Sequence, residues 1–159
     1  MSNVTVDTNA LAYIYCGTPK LGMMYASILG KISVKNTLII PKIVYGELSL
    51  IFDSVEELDH FLKDTGIVIE EIPLRAYVVA ANRWHEYNQS RVLMCQSCGK
   101  KLSELTCSRC KSGIKIRQHI LTDFIIGGFA LETSKSIVTH DLGYFSTYFP
   151  ELRIISAHR

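Results

Sequence analysis

The sequence predicts an α/β fold of three layers, with a central parallel sheet covered by helices on both faces. Short runs of β-branched and aliphatic residues alternate along the chain with longer segments of helical periodicity. Alternation of this kind is typical of parallel sheets, because each pair of parallel strands needs a crossover connection, usually a helix. A length of 159 residues suits one domain, and 48% hydrophobic residues can fill its core.

The elements of the first half are bounded by residues that favour turns or helix starts. Gly17 and Pro19 end one helical pattern, and Pro41 opens another, where its missing N–H costs nothing. The predicted order is a strand at 4–6, helices at 8–16 and 20–31, a strand at 37–40, a helix from 41 to about 51, a helix capped by residues 53–54, and a strand at 67–69.

The second half contains a Cys-rich segment and the most apolar helix of the chain. A helical pattern fails near Met94, and the Cys-rich segment continues to Gly113. The predicted order is a helix at 74–87, the Cys-rich segment, an apolar and central helix at 116–132, a strand at 136–139, a short helix at 141–148, and a last strand at 152–155.

Four of the fifteen acidic residues stand apart from charged surface runs such as residues 56–59. Asp7 and Asp141 stand at the ends of predicted strands, and Glu47 and Asp123 interrupt apolar helical faces. Ligands of open α/β sheets bind outside the carboxyl ends of the strands, and a carboxylate on an apolar face is costly unless it is paired or binds a metal. One site for a divalent cation explains all four acids, and hard oxygen ligands favour Mg²⁺ or Mn²⁺.

Each acid also has a purely structural explanation. Asp7 and Asp141 could cap helix N-termini, and Glu47 and Asp123 could form buried salt bridges. The structural explanation requires four independent causes, whereas the metal site requires one. We therefore favour the metal site, which also offsets the mutual repulsion of clustered carboxylates.

The segments around the four acids resemble the four sequence blocks of PIN-domain ribonucleases, and VapC-like toxins of toxin–antitoxin pairs in particular. The resemblance covers essentially the whole chain apart from the Cys-rich insert, and it implies the PIN-like form of the three-layer fold. Its blocks are VDTNAL at 6–11, VYGEL at 44–48, LTDFIIGGFAL at 121–131 and VTHDLGYF at 138–145.

The resemblance also implies the reaction and the residues that support it. The family chemistry is hydrolysis of RNA phosphodiester bonds, in which Mg²⁺ or Mn²⁺ lowers the pKa of an attacking water and stabilises charge on the phosphate. His140 departs from the arginine that often precedes the last acid in the family. The implied catalytic and metal-binding residues are Asp7, Glu47, Asp123 and Asp141, and the implied supporting residues are Thr8, Asn9 and Thr139.

The Cys-rich segment contains two CxxC pairs separated by eight residues. Four thiolates at this spacing suit a closed, tetrahedral, structural Zn²⁺ site, and we predict a zinc ribbon at residues 92–114, inserted in a single PIN-like domain of residues 1–159. Disulfides or a redox CxxC are the alternatives, and the absence of a visible secretory signal disfavours persistent disulfides. The predicted zinc ligands are Cys95, Cys98, Cys107 and Cys110.

Basic residues are concentrated around the same insert, although the net charge of the chain is only +2. Residues 90–118 hold seven basic residues and one acidic residue, a balance that favours a nucleic-acid partner. Contact with an antitoxin, or bracing of the adjacent helices, would explain the insert equally well. The residues that we consider for RNA binding are Lys100, Lys101, Arg109 and Lys111.

Other reactive or aromatic residues are assigned structural roles. Cys16 has no CxxC partner and is predicted to be a small buried hydrophobe. No histidine shares a spacing with the cysteines, so none is expected to bind zinc. The histidines considered are His85, His119 and His140. The aromatic residues Tyr144, Phe145, Tyr148 and Phe149 are predicted to lie in the core.

We expect a cytoplasmic, metal-dependent ribonuclease with no membrane segment, acting as the toxin of a toxin–antitoxin pair. Its expected partners are RNA, a small antitoxin and a second copy of the chain. One alternative is a housekeeping nuclease of RNA processing or ribosome maturation. Another is a non-catalytic module that binds nucleic acid or protein, although pure binding would not require the four acids.

Overall fold

The computed structural model describes residues 2–89, 93–94, 101–102, 106–112 and 120–157. The strands in chain order are Ser2–Val6 (β1), Asn36–Pro41 (β2), Val68–Glu70 (β3), Leu93–Met94 (β4), Lys101–Leu102 (β5), Ser136–Val138 (β6) and Arg153–Ile155 (β7). The helices are Thr8–Tyr15 (α1), Leu21–Ser33 (α2), Lys42–Leu48 (α3), Val55–Thr65 (α4), Leu74–Gln89 (α5), Leu121–Thr133 (α6) and Leu142–Tyr148 (α7).

A five-stranded parallel sheet forms the centre of the molecule, with the strand order β3-β2-β1-β6-β7. The chain first moves outward from β1 to β2 and β3, and then returns to the other side of β1 through β6 and β7. The direction of winding therefore reverses between β1 and β6. In sheets of this kind such a reversal opens a crevice at the carboxyl ends of the two strands.

Helices cover both faces of the sheet, as the alternating pattern predicts. With this strand order, the right-handed rule for parallel crossovers assigns α1–α4 to one face and α5–α7 to the other. The helix α1 packs on α2 and α3, while α5 packs along α6. The strands β1 and β2 are buried toward their carboxyl ends, where β1 carries β-branched residues and β2 a continuous aliphatic run. The α/β class and its layers, predicted from the sequence, are confirmed.

The apolar helix α6 is central, but it starts later than the sequence predicts. We expected a helix over 116–132, whereas α6 begins at Leu121 and Ile120 is extended, with φ −114° and ψ 168°. The backbone N–H of Ile120 donates to the Asp123 carboxylate at 3.0 Å, so the start of the helix is fixed by an acid in its first turn. Residues 116–119 lie outside the described residues.

One further sequence prediction is wrong. Cys16 is exposed, because it lies at the C-cap of α1 rather than on the inner face of that helix. The aromatic prediction fares better, since Tyr144, Phe145 and Phe149 are buried and Tyr148 packs against the core.

Part of the Cys-rich insert is described. The strand β4 pairs antiparallel with β5, with Leu93 opposite Leu102 and Met94 opposite Lys101. Across the described ranges, no helix has the length and apolar content needed to cross a bilayer.

Candidate active site

Asp7 occupies the centre of the crevice at the point where the winding of the sheet reverses. It directly follows β1, and its backbone N–H donates to the Val138 carbonyl of β6 at 2.9 Å. Its side chain caps α1, because Oδ1 accepts the Thr8 N–H at 2.8 Å. The capping role considered for this acid is therefore present, but it uses only one of the two carboxylate oxygens.

The second oxygen of Asp7 is held by two polar side chains. Oδ2 accepts the Thr139 hydroxyl at 2.7 Å and the Asn9 amide at 2.7 Å. The Thr139 oxygen also accepts the Asp141 backbone N–H at 3.1 Å. Thr139 is fully buried and follows β6, so one hydroxyl links the acids that follow two adjacent strands.

The electrostatic environment of Asp7 is unusual for a surface cap. Its side chain is 7% exposed, and burial raises the pKa of this carboxyl from 3.8 to about 7. Hydrogen bonds from Thr139 and Thr8 oppose the increase, whereas the negative charges of Asp123 and Glu47 add to it. Two of the other predicted acids therefore lie close enough to Asp7 to repel its charge.

Glu47 reaches the crevice from α3 and contacts the first turn of α1. The Thr8 hydroxyl donates to Oε2 of Glu47. Through this bond the Glu47 carboxylate is held beside Asp7, the residue that precedes Thr8. This contact gives the predicted supporting role of Thr8 a physical basis.

Asp123 lies in the first turn of α6 and Asp141 is the N-cap of α7, and at both positions a carboxylate interacts favourably with the backbone N–H groups. Asp123 is half-buried and accepts the Ile120 N–H, and Asp141 is exposed and accepts the Tyr144 N–H at 3.1 Å. Local bonds of this kind are what a purely structural explanation predicts. They do not explain why the charge of Asp123 acts on the buried Asp7, or why the Asp141 N–H shares the Thr139 hydroxyl with it.

The hydroxyl of Tyr144 lies within the electrostatic reach of three of the acids. Burial is the main factor that raises the pKa of Tyr144, and Asp123, Asp141 and Asp7 raise it further. The ring packs edge-on against Phe124, with centroids 5.2 Å apart, beside Asp123. Tyr144 was predicted only as an aromatic residue of the core, and the sequence pattern did not indicate that it lies near Asp7, Asp123 and Asp141.

The four acidic side chains offer the oxygen ligands that a hard divalent cation prefers, but the structure does not bring them together as a metal-binding group. The four side chains offer carboxylate oxygens, and an ion among them would offset the repulsion that acts on Asp7. Within the described ranges, however, no three His, Cys, Asp or Glu side chains form a group that could hold a metal as they stand. The fit to a cation therefore rests on the chemistry of the donors.

Tyr25 is a neighbour of this site that sequence reasoning missed. Its ring is fully buried in α2, and its hydroxyl lies over the carboxyl ends of β6 and β7. There it contacts the Thr139 carbonyl at 3.1 Å, His140 Nδ1 at 3.0 Å and Ser156 Oγ at 3.3 Å. The contacts span more than a hundred residues of sequence, and a tyrosine on a helical face gives no local signal of them.

The predicted zinc ligands are only partly described. Cys107 and Cys110 form a tight turn in which Cys107 N–H donates to the Ser112 carbonyl and Lys111 N–H to the Cys107 carbonyl, both at 2.9 Å. Hydrogen bonds from Ser112 are the main factors that lower the pKa of Cys110 to about 7. Cys95 and Cys98 lie outside the described residues.

Of the basic residues considered for RNA binding, some are described by the structure and others are not. Arg109 and Lys111 are exposed on the turn of the second CxxC pair, and Lys101 lies on β5. Lys100 lies outside the described residues, as does His119. The described part of the insert therefore presents cations to solvent, which is consistent with the charge pattern of the sequence.

Comparison with known proteins gives a consistent fold. No family model matches the chain, and no curated protein does. Among solved structures, the chain resembles one in VapBC2 from Rickettsia felis, bound to a DNA fragment from their promoter, with a TM-score of 0.63, 17% identity and coverage of 97% of this chain and 98% of that one.

Two further structures give almost the same result. A chain of VapBC-1 from nontypeable Haemophilus influenzae matches with a TM-score of 0.60 and 15% identity, over 97% of each chain. A chain of DNA-bound VapBC from Salmonella typhimurium matches with a TM-score of 0.61 and 14% identity, over 98% of each chain. At these identities the likeness shows the fold, and it confirms the PIN-like form of the predicted α/β/α architecture.

Proposed function

We propose that this protein is a metal-dependent ribonuclease that acts as the toxin of a toxin–antitoxin pair. The observation that carries the proposal is the buried Asp7 carboxylate, which lies where the sheet reverses its winding and experiences the charges of Glu47 and Asp123. A carboxylate buried beside two others is unfavourable in a purely structural role. A bound cation removes that penalty and gives the arrangement a use.

In the proposed site, Asp7, Glu47, Asp123 and Asp141 hold Mg²⁺ or Mn²⁺. When bound, the ion supplies positive charge that stabilises the phosphate and favours deprotonation of an attacking water. Thr139 and Asn9 keep Oδ2 of Asp7 in place, and Thr8 orients Glu47. The substrate is RNA, whose phosphodiester lies across the carboxyl ends of β1 and β6.

Cleavage by the purified 159-residue chain tests this proposal. Labelled RNA is incubated with Mg²⁺, with Mn²⁺ and with EDTA, beside Asp7→Asn and the matched control Asp64→Asn, whose side chain is 67% exposed on α4. We expect cleavage with either metal by the wild type and by Asp64→Asn, and a rate at least about a hundredfold lower for Asp7→Asn. Equal cleavage in EDTA, or full activity of Asp7→Asn, would refute the mechanism.

The toxin role requires an antitoxin that restrains the site. We propose a small protein partner and a homodimeric toxin, supported by the VapC-like sequence blocks and by the VapBC complexes that share this fold. Induced expression should arrest growth, and co-expression of the protein encoded next to it should relieve the arrest. Relief by no neighbouring gene product, with RNA cleavage intact, would instead favour the housekeeping nuclease.

We propose that residues 92–114 form a structural zinc ribbon inserted in the single domain of residues 1–159. The turn of Cys107 and Cys110, and a Cys110 thiol that ionises near neutral pH, support metal binding by thiolates. Contact of this ribbon with RNA is tested by replacing Lys100, Lys101, Arg109 and Lys111 together with Ala. The salt dependence of RNA affinity should then become shallower, and an unchanged slope would exclude the contact.

A further inference from the structure

A row of basic residues lies along the amino edge of the sheet, opposite the acidic crevice. Lys35 directly precedes β2, Lys135 directly precedes β6, and Arg153 is the first residue of β7. Lys31 lies in the last turn of α2, four residues before Lys35. All four residues are exposed, and we call them the amino-edge patch.

Hydrogen bonds between elements hold this patch at the ends of neighbouring strands. Asn36, at the start of β2, donates to a carbonyl in the last turn of α2 at 3.1 Å and accepts the Ser2 hydroxyl of β1 at 2.6 Å. On the other side of β1, the Arg153 N–H donates to the Lys135 carbonyl at 2.9 Å. Since β2, β1, β6 and β7 are consecutive in the sheet, the row spans three strand spacings, or about 15 Å.

The acids that flank the patch in sequence are engaged by arginines of α5. Glu132 lies 3.5 Å from Arg75, and Glu151 is bound to Arg83. The pKa of Glu151 is lowered first by its own backbone N–H, then by Arg83 and last by Lys135, so Arg83 is the main cation on this acid. In the part of the chain that the structure describes, no member of the patch forms an ion pair, and four positive charges therefore remain uncompensated.

A purely local role explains part of this pattern. Lys31 and Lys35 flank the end of α2, and Lys135 follows the end of α6, where positive charge interacts favourably with the last helix carbonyls. Lys135 occupies that position with φ +57°, a left-handed conformation in which glycine or asparagine is usual. The local role does not explain why the cations of two helix ends form one row with Arg153.

A row of uncompensated cations is complementary to a linear polyanion. At ordinary ionic strength, charges within about 10 Å of one another reinforce their attraction for such a ligand. Contacts of lysine and arginine with phosphates supply most of the affinity for nucleic acids, whatever their sequence. RNA is the polyanion that the proposed function already requires.

We propose that the amino-edge patch binds the phosphate backbone of RNA, as a second contact on the edge of the sheet opposite the acidic crevice. Because β1 has five residues, the patch lies roughly 17 Å from Asp7, at about 3.3 Å per residue. The substrate is then an RNA long enough to extend around the domain, rather than a short oligonucleotide confined to the crevice. This inference rests on the proposed function for the identity of the polyanion, and it adds a binding surface and a requirement for length.

Two variants with equal loss of charge test the inference. One removes the patch, and the matched control removes the same number of exposed cations from other parts of the described surface. Each replaces one lysine of positive φ with asparagine, which tolerates that conformation. The patch variant is Lys31→Gln, Lys35→Gln, Lys135→Asn and Arg153→Gln, and the control is Lys20→Asn, Lys42→Gln, Lys63→Gln and Arg75→Gln.

Affinity of the 159-residue chain is measured in EDTA, which prevents metal-dependent cleavage, for fluorescent RNAs of about four and about thirty nucleotides. The patch variant should bind the long RNA at least about tenfold more weakly than the control does. Its slope of log affinity against log salt should be shallower than the wild-type slope by up to about 3, at about 0.7 per phosphate contact of a single strand. The short RNA should bind the patch variant and the control equally.

An equal loss of affinity for the long RNA in the two variants would overturn the inference, because only the net charge would then matter. A loss in the patch variant that is as large for the short RNA would overturn it too. A patch that serves an anionic membrane would bind vesicles containing phosphatidylserine in the wild type but not in the patch variant, with equal RNA binding by the patch variant and the control. That result would also overturn the inference.

The proposed function is judged separately, by metal-dependent cleavage of the short RNA and its loss in Asp7→Asn. The patch variant should keep this cleavage, because none of its substitutions lies in the crevice. Cleavage that depends on Asp7, together with equal binding of the long RNA by the patch variant and the control, would leave the nuclease in place and remove only this surface. Binding of the long RNA through the patch, without cleavage, would support the surface and refute the nuclease.

Discussion

Burial of the Asp7 carboxyl makes the stability of this protein depend on pH in an uncommon direction. The folded state holds this proton up to about pH 7, whereas an ordinary carboxyl loses it near 3.8. Between these values the folded state binds more protons than the unfolded state, so its stability falls as the pH rises and levels off above about 7. The shift corresponds to about 4 kcal/mol, at about 1.4 kcal/mol per unit.

We therefore predict that Asp7→Asn removes this loss of stability. The free energy of unfolding, measured in urea between pH 4 and pH 8, should fall more steeply for the wild type than for Asp7→Asn, by up to about 4 kcal/mol. Asp64→Asn, which alters an exposed acid, should follow the wild type. Parallel curves for all three proteins would show that Asp7 ionises normally in the folded state.

Thr139 offers a second prediction at the scale of one residue. Thr139→Val keeps the shape of the side chain but removes the hydroxyl that donates to Asp7 and accepts from Asp141. Without this hydrogen bond the pKa of Asp7 should rise further, and kcat/KM for RNA cleavage should fall roughly ten- to a hundredfold, the scale of one hydrogen bond to a charged group.

The matched control is Thr5→Val. Thr5 is equally buried, on β1, and its hydroxyl is bonded to Ser134 at 2.8 Å, away from the acids. Both variants should lose about 1–3 kcal/mol of stability, but only Thr139→Val should lose activity beyond the unfolded fraction. Equal activity in the two variants would assign Thr139 a structural role alone.

At the residue scale, sequence reasoning found the acids but not the contacts that distinguish them. Asp7 and Glu47 could be recognised because a carboxylate on a buried surface is costly in any fold. The contacts of the Tyr25 hydroxyl with Thr139 and His140 could not be recognised, because they join distant parts of the chain. A side chain with an ordinary structural explanation carries no local sign of such partners.

At the scale of elements, the packing of α5 on α6 depends on one close backbone approach. A Cβ at Gly128 would clash with the Ala76 carbonyl oxygen and would lie close to the Ala80 nitrogen. Backbone atoms in a packed helix cannot move aside as the end of a flexible side chain can. The helix pair therefore fixes the position from which Asp123, at the start of α6, reaches the crevice.

We predict that Gly128→Ala destabilises the fold by about 1–3 kcal/mol, despite the better helix propensity of alanine. The control is Gly30→Ala in α2, where an added Cβ meets no atom and stability should rise by up to about 1 kcal/mol. Thermal and urea unfolding measure both variants. Equal stability of the two would show that α5 and α6 can separate enough to admit a methyl group.

Element types followed from the sequence more reliably than element boundaries did. Strands such as β2 were predictable from continuous aliphatic runs, and helices from periodicity together with Pro41 and Gly17. The start of α6 was not predictable, because Ile116 and Ile120 continue the apolar pattern of the helix in the sequence. The Asp123 carboxylate accepts the Ile120 N–H and so fixes the start of the helix at Leu121, and a pattern of hydrophobicity does not reveal a single capping bond.

At the scale of the whole molecule, the sheet order creates the site. A parallel sheet follows from the alternation of elements, but the placement of β6 beside β1 does not, since periodicity describes only neighbours in sequence. That placement joins Asp7 to Thr139, which are 132 residues apart. The sequence resemblance implied that Asp7 and Thr139 belong to one site, and the strand order explains physically why they are adjacent.

The acidic site and the proposed zinc ribbon use different ligand chemistry, so their metals should be separable. Thiolates hold Zn²⁺ tightly, whereas carboxylates favour Mg²⁺ or Mn²⁺. We predict that the purified wild type keeps about one zinc ion per chain after dialysis against EDTA. It should also gain thermal stability when Mn²⁺ is added, because ligands that bind only the folded state stabilise it.

Cys107→Ser should lose the zinc and retain the Mn²⁺ response, whereas Asp7→Asn should lose the Mn²⁺ response and retain the zinc. Cys16→Ser is the matched control, because Cys16 is an exposed thiol outside the insert, and it should change neither metal. Elemental analysis and thermal unfolding give the two measurements independently. Retention of zinc by Cys107→Ser would exclude the ribbon, and loss of both metals in either variant would mean that the two sites fold as one unit.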